Sequence, residues 1–226
     1  AEQAARNFSF MAHELRSPLH MAQLALALLQ LDERDDGGAR DAQIKRLSHA
    51  LTALAELIDN ALVETRLAGD VPVHYVRTTA EALVHDALRN VAAYAHEIGV
   101  EITLEVESFA VEADPKLATS ALSNLITNAV KFTQPQTRVV VRARPEGGRA
   151  VFEVEDRCGG LGPEPGTLFD PFVQRDENKS GFGLGLMIVK RAVEAHGGSV
   201  RVEDHPGQGC TFALELPLEG GETSPG

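Results

Sequence analysis

The residue in this sequence best suited to chemistry is His13, in the stretch FMAHELRSPL at residues 10–19. A histidine oriented by a neighbouring acid can act as a nucleophile, and Glu14 follows it directly. On a helical wheel, His13 lies about 140° from the centre of the apolar stripe, so it faces solvent. Ser17, four residues on, shares that face. The alternative is an ordinary surface histidine, because one residue alone does not define a site.

A second group of candidate residues lies on one face of a predicted helix at residues 115–132. Asn124, Asn128 and Lys131 fall within about 60° of one another around this helix. An asparagine carbonyl is the kind of oxygen ligand that Mg²⁺ prefers, and a lysine supplies positive charge to a polyphosphate. The alternative is a solvated helix face, although asparagine is only a middling helix former.

Two glycine-rich segments follow this helix. Asp156 ends a predicted strand and precedes CGGLG, where a buried carboxylate would accept the exocyclic amine of adenine. The segment GFGLG leads into another helix, whose free N–H groups would bind phosphate. The glycines concerned are Gly160, Gly181, Gly183 and Gly185. Each segment alone is weak evidence, but together with His13 they suggest a nucleotide site and a phosphoryl acceptor on one polypeptide.

The elements that must position these residues begin with two apolar stripes, separated by charge and glycine at residues 31–38. The stripes are Phe8, Ala12, Leu15, Leu19, Ala22, Leu26 and Leu29, then Ile44, Leu47, Leu51, Leu54, Ile58 and Ala61. This spacing predicts an antiparallel helical hairpin. One hairpin cannot bury both stripes, so we expect a homodimeric four-helix bundle. Pro18 should bend the first helix just after His13.

After a linker at residues 69–72, the pattern becomes mixed α/β. Asp114 is the predicted N-cap of the helix that begins at Pro115. The predicted helices are 79–97, 115–132 and 184–196, and the predicted strands are 100–107, 137–144, 150–155 and a final pair joined by residues 205–209. A polar tail at 219–226 is expected to be disordered.

Composition narrows the class of protein. The net charge of −12 over 226 residues argues against a nucleic-acid partner, which usually needs a basic patch. Two cysteines, Cys158 and Cys210, lack metal-type spacing and indicate a reducing compartment. No membrane-spanning segment or signal peptide is expected, so we predict a cytoplasmic location. The chain starts without methionine inside a predicted helix, so we expect a missing upstream segment.

Taken in order, these motifs resemble those of the bacterial sensor histidine kinases of two-component systems, over about residues 6–217. FMAHELRSPL resembles the H box and NLITNAVK, at 124–131, the N box. DRCGGLG, at 156–162, resembles the G1 box. LFDPF, at 168–172, resembles the F box, and GFGLGL, at 181–186, the G2 box. Several such motifs in order are specific, whereas any one alone is not.

The resemblance implies the catalytic core of such a kinase, with its sensor missing upstream. A dimerisation and phosphotransfer hairpin would occupy residues 1–69, and a two-layer α/β sandwich of the Bergerat type, which binds ATP, residues 73–218. The γ-phosphoryl group of ATP would pass to His13 and then to an aspartate of a response regulator. Glu14 would be the acid–base partner. Ser17 stands where the family's phosphatase-competent pattern has threonine or asparagine.

The resemblance also implies the roles at the nucleotide site. Asn128 would bind Mg²⁺, Asp156 would bind adenine, and residues 173–182 would form a mobile lid over ATP. The supporting phosphate contacts and lid anchors would be Asn124, Lys131, Arg175, Lys179, Phe169 and Phe172. Cys158 stands where the family's Asp-x-Gly-x-Gly pattern has its first glycine. We expect a working pocket if Cys158 has negative φ and Gly159 takes the permissive role.

Several alternatives stay open at this point. The Cys158 thiol should lie near the bound base, and Mg-ATP should slow its modification by a thiol reagent, whereas modification of Cys210, expected in the last strand, should not be slowed. Another ATPase with the same nucleotide fold, such as a chaperone or topoisomerase, is disfavoured by the H box. A degenerate kinase acting as a dimeric scaffold or phosphotransfer module has Cys158 as its support. The sequence does not identify the signal, the cognate regulator, or cis versus trans phosphorylation.

Overall fold

A computed structural model describes residues 19–29, 40–44, 46–47, 50–51, 54, 58, 72–89, 91–161, 168–169 and 184–218. The chain divides into two compact units, Ala1–Ala68 and Gly69–Gly226. The predicted bend at Pro18 and the predicted tail at 219–226 lie outside the described residues. None of the helices in the described ranges is both long and apolar enough to span a bilayer.

The described part of the first unit is helical, at residues 19–29 and 40–44 and at single positions up to 58. Ala22 and Ala25 are buried. Large apolar side chains on the same segments are exposed: Leu19, Met21, Leu24, Leu26, Leu28, Ile44, Leu51 and Ile58. A helix that leaves so many apolar side chains in water gains little from folding alone. The four-helix bundle therefore remains a prediction, and burial of these exposed apolar side chains is the physical reason for it.

In the second unit, the described strands form two sheets. They are β1 Val76–Thr79, β2 Glu101–Val106, β3 Ala110–Ala113, β4 Arg138–Glu146, β5 Arg149–Glu155, β6 Ser199–His205 and β7 Gly209–Pro217. The larger sheet has the order β2-β4-β5-β7-β6, and β1 pairs with β3. The β2–β4 pair is parallel, and the other pairs are antiparallel.

The described part of this unit also contains the helices α1 Ala80–Leu88, α2 Val91–Ile98, α3 Pro115–Phe132 and α4 Gly185–Ala195. The core joins the apolar side of α3, including Leu122, Leu125 and Ile126, to strand residues such as Phe152. On the other side of the sheet, Arg144 of β4 pairs with Glu153 of β5 at 2.7 Å. Strands with one apolar and one charged side form a half-covered sheet, as expected for a mixed α/β domain.

The structure differs from the sequence predictions in one helix and in two short strands. The single helix expected at 79–97 is wrong, because α1 ends at its C-cap Arg89 and α2 begins at Val91. Strands β1 and β3 were not predicted; each has four residues, too few for a clear alternating pattern. They exist because they pair with each other across a long separation in sequence.

The helix that carries the asparagines is anchored at its start by a buried histidine. Asp114 caps α3, since its Oδ1 accepts the N–H groups of Lys116 and Leu117. The backbone N–H of Asp114 donates to Nε2 of His196, at 2.9 Å. His196 Nδ1 lies 2.7 Å from the Ala192 carbonyl oxygen, so the neutral ring carries its proton on Nδ1. Burial lowers the pKa of His196 and keeps the ring neutral.

This anchor should make stability depend on pH. Because the pKa of His196 is lower in the folded chain than its unfolded value of about 6.5, only the unfolded chain gains a proton just below that pH. The free energy of unfolding should therefore fall as pH drops from about 6.5 toward the folded-state pKa. His196→Gln should cost about 1–3 kcal/mol at neutral pH and flatten this dependence. Urea unfolding of the full chain at several pH values measures both effects.

The matched control is His205→Gln, at an exposed position, which should keep the parent's pH dependence. An unchanged pH slope in His196→Gln would show that another group causes the acid sensitivity.

Candidate functional site

Six of the predicted site residues lie in the described part of the second unit. These are Asn124, Asn128, Lys131, Asp156, Gly160 and Gly185. The remaining predicted residues lie outside the described ones: His13, Glu14, Ser17, Arg175, Lys179, Gly181 and Gly183. Phe172 and the predicted lid at 173–182 also lie outside them, whereas Phe169 is described and half-buried.

The asparagine side of α3 has the arrangement that its helical spacing predicts. Asn124, Asn128 and Lys131 are half-buried, whereas Leu125, Ile126 and the other core-facing residues are fully buried. Asn124 Nδ2 donates to the Ser120 carbonyl oxygen, at 2.9 Å, which fixes the orientation of the amide. The helix therefore presents two amide groups and one ammonium group along one side.

The beginning of α4 comes directly against these amides. A Cβ atom built on Gly185 would lie 2.8 Å from Asn124 Oδ1 and 3.6 Å from Asn128 Nδ2. Glycine at 185 therefore allows a close approach that a larger residue would disturb. The N-cap residue Leu184 makes no side-chain hydrogen bond to the helix, and the first N–H groups of a helix have no partner within the helix itself. A helix start with uncapped N–H groups is suited to an anion such as phosphate.

Asp156 follows directly after the last residue of β5. Its side chain is buried, with 3% exposure. Oδ1 accepts the backbone N–H groups of Cys158 and Cys210, at 3.0 and 3.1 Å. The thiol of Cys210 donates to Oδ2, at 3.0 Å. These three bonds hold the carboxylate in one orientation, and its remaining acceptor capacity suits a ligand amine.

The position of Cys210 corrects a sequence prediction. Cys210 lies in the last strand, as predicted, but its thiol contacts Asp156, so the physical basis for expecting nucleotide to leave its modification unchanged is wrong. Strands β5 and β7 pair with Glu155 opposite Thr211, and this register carries Cys210 to Asp156. A Cβ on the adjacent Gly209 would lie only 2.0 Å from the Asp156 carbonyl oxygen, so glycine permits this approach. Register depends on contacts distant in sequence, which local sequence motifs do not encode.

The turn after Asp156 has the backbone conformation that the cysteine substitution was predicted to require. Gly159 and Gly160 have φ of 88° and 107°, whereas Cys158 is not among the described residues with positive φ. The two glycines therefore provide the left-handed conformations that the turn requires. Asp204 Oδ1 accepts the Leu161 N–H at 2.8 Å and would lie 3.1 Å from a Cβ on Gly160.

Comparison with known protein families agrees with this geometry. A family model described as histidine kinase-, DNA gyrase B- and HSP90-like ATPase matches residues 113–220, which contain all six of the described site residues. The virulence sensor protein BvgS of Bordetella bronchiseptica is 34% identical over 223 residues, or 92% of this chain. The circadian input-output histidine kinase CikA of Synechococcus elongatus is 34% identical over 225 residues, also 92% of this chain.

Among solved structures, full-length ShkA in complex with AMPPNP is 30% identical, with a TM-score of 0.68. The similarity covers 97% of this chain and 46% of ShkA. The chain spans 18% of the length of BvgS and 29% of that of CikA. The similarity therefore concerns one region of much longer proteins.

Proposed function

Since this chain carries an ATP-binding catalytic domain of the sensor histidine kinase type, we propose that it is the catalytic core of such a kinase. It binds ATP with Mg²⁺, transfers the γ-phosphoryl group to His13, and passes it to an aspartate of a response regulator. The observation that carries this proposal is the buried Asp156 carboxylate, held by three hydrogen bonds in the same domain as the amide side of α3.

At the adenine end, the Asp156 carboxylate accepts the exocyclic amine of the base. Its orientation is set before the ligand arrives, because two backbone N–H groups and the Cys210 thiol already hold it. A preoriented acceptor in a buried position discriminates strongly against a base that lacks the matching donor. The glycine turn at 159–160 allows the backbone to approach the base.

At the phosphate end, the amides and the start of α4 contact the polyphosphate. Asn128 and Asn124 fit a magnesium–nucleotide complex, because half-buried amides supply neutral oxygen ligands beside uncapped helix N–H groups. Asn128 would hold the ion, which supplies charge neutralisation for the phosphates when bound. Lys131 supports the phosphates, and the lid residues Arg175 and Lys179 complete the positive surroundings.

The acceptor is His13, whose imidazole nitrogen attacks the γ-phosphorus while ADP leaves. Glu14 holds the other ring nitrogen and so maintains the nucleophilic tautomer. The phosphohistidine then donates its phosphoryl group to a carboxylate of the response regulator, and Ser17 provides a hydroxyl on the same side of the helix. Catalysis depends mainly on positioning and on charge neutralisation.

We expect the chain to dimerise through its first unit. The exposed leucines and isoleucines of residues 19–58 would be buried when two hairpins form a four-helix bundle. Light scattering should show a dimer of the full chain at micromolar concentration, and a monomer when residues 1–69 are removed. A monomeric full chain under these conditions would contradict the bundle.

The proposed function is tested with γ-labelled ATP and Mg²⁺. A kinase leaves an acid-labile label on the protein, and the label moves to a receiver domain that is added later. Steady release of phosphate without labelled protein would favour an ATPase of another class. Absence of ATP binding would favour a scaffold.

Gly185→Ala tests the contact between α4 and the amides. The added methyl group would displace Asn124 and break its bond to Ser120, so we expect about fivefold weaker ATP binding. The control is a double-mutant cycle with Asn124→Ala. If Gly185→Ala acts by moving this amide, it should add little to the loss already caused by Asn124→Ala. Fully additive losses, measured by calorimetry, would show that position 185 acts independently of Asn124.

A further inference from the structure

The two cysteines of the chain meet beside the carboxylate of Asp156. Their sulfur atoms are 3.5 Å apart, although the residues are separated by 52 positions in sequence. A disulfide needs about 2.05 Å, so the sulfurs would have to approach by roughly 1.5 Å. Cys158 lies in the turn after β5 and is half-exposed, whereas Cys210 is fixed in β7 and buried. Adjustment of the turn can bring the sulfurs together.

The surroundings give the two thiols different reactivities. When Cys158 ionises, the Cys210 S–H donates to the Cys158 sulfur instead of to Asp156; this hydrogen bond lowers the pKa of Cys158, whereas the nearby Asp156 charge raises it. The same contact, together with burial, raises the pKa of Cys210, which keeps its proton. A half-exposed thiol of lowered pKa next to a buried thiol is the arrangement of an attacking cysteine and its resolving partner.

We propose that Cys158 and Cys210 form a redox-sensitive pair, which a hydroperoxide oxidises to an intramolecular disulfide that weakens nucleotide binding at Asp156. The effect on nucleotide binding rests on the proposed function, whereas disulfide formation does not. The pair would thus connect the oxidation state of the surroundings to the occupancy of the adenine site.

The chemistry takes place in two steps. The Cys158 thiolate attacks the peroxide; an S–O bond forms, the O–O bond breaks, and the leaving oxygen takes up a proton as water. The Cys210 sulfur then attacks the resulting sulfenic acid; the S–S bond forms, the S–O bond breaks, and hydroxide leaves as water with the Cys210 proton. The two thiols lose two electrons in total, and hydrogen peroxide is reduced to two water molecules.

Oxidation would change the adenine site directly. The S–H donor that holds Asp156 Oδ2 is lost, and the carboxylate keeps only its two backbone donors. The turn also moves, because Gly160 donates its N–H to the Cys158 sulfur at 3.4 Å in the reduced form. Loss of one bond to the carboxylate should weaken nucleotide binding about tenfold.

The ligand atoms of Asp156, Cys158 and Cys210 lie within 4.8 Å of one another, close enough to bind a metal ion. The geometry favours the redox role. Cys210 would have to lose the proton that it donates to Asp156, and the pKa of Cys210 is raised there. The Asp156 carboxylate already accepts two backbone N–H groups, which a metal ligand would have to retain or give up.

The test uses the full chain, reduced and freed of metal by a chelator, then treated with hydrogen peroxide and alkylated. Peptide mass spectrometry should find a Cys158–Cys210 link within one chain, reversed by dithiothreitol. A fluorescent ATP analogue with Mg²⁺ should bind about tenfold more weakly to the oxidised parent. Cys158→Ser should bind it equally before and after peroxide. Cys210→Ala should leave a sulfenic acid at Cys158 that dimedone traps.

Several results would overturn the proposal. These are reduced thiols after peroxide treatment, links only between chains, and a disulfide that leaves nucleotide affinity unchanged. Zinc can also be added to the reduced, metal-free chain. If it blocks alkylation of both thiols and nucleotide binding, and a chelator alone restores both, the three side chains form a metal site instead. If the reduced parent binds no nucleotide, the proposed function and the coupling both fail, while the peptide map still decides whether the disulfide forms.

Discussion

Replacing His13 with glutamine should abolish the acid-labile label that γ-labelled ATP leaves on the protein. Glutamine keeps a polar side chain of similar size but has no ring nitrogen to attack phosphorus. ATP binding should change by less than about twofold, because the nucleotide contacts come from other residues. Labelling followed by acid and base treatment measures the first effect, and calorimetry measures the second.

The matched control for this variant is His20→Gln. His20 is exposed on a described helical segment and has no neighbouring acid in sequence. It should keep full labelling, which separates the loss of the acceptor from a general effect of removing a histidine. Acid-labile label that persists on His13→Gln would remove His13 as the acceptor.

The elements with local signals were predicted well from the sequence. Helix α3 has the predicted bounds, because Asp114 and Pro115 at its start and the spacing of its apolar residues are all local features. The asparagine side follows from the same helical period. Long strands with alternating residues, such as β5, were also found within one or two residues of their ends.

The features that depend on contacts distant in sequence were missed. Strands β1 and β3 have four residues each and are stabilised by pairing with each other. The meeting of Cys158 with Cys210 depends on the register of β5 against β7. A motif search finds both cysteines but not their distance, because a shift of register by one residue would reverse the side of the sheet on which Cys210 lies.

His196 illustrates the same limit for a single side chain. Its type and position in sequence agree equally with a surface residue and with a buried one. The structure makes it an acceptor for the Asp114 N–H, and so a support for the cap of α3. The histidine thereby helps to fix the start of the helix that carries Asn124 and Asn128. No sequence motif indicates this role.

Asp156→Asn should weaken ATP binding about a hundredfold, the scale of losing a hydrogen bond to a buried charged group. Asparagine can keep an oxygen for the N–H groups of Cys158 and Cys210, so the turn should retain its shape. Its amide nitrogen is a donor, and it would face the exocyclic amine of adenine with the wrong polarity. Calorimetric titration with Mg-ATP measures the loss, and thermal unfolding verifies that the variant is folded.

A ligand change makes this prediction specific to the base. Purine riboside triphosphate lacks the exocyclic amine, so the parent should bind it about as weakly as the variant binds ATP, and the variant should discriminate little between the two ligands. The matched control is Glu155→Gln, which removes the neighbouring charge on the side of the sheet where Glu155 pairs with Arg142. This control should keep the parent's affinity and its preference for ATP. If Asp156→Asn still prefers ATP over the purine analogue, Asp156 does not bind the exocyclic amine of adenine. The adenine site would then lie elsewhere in the domain.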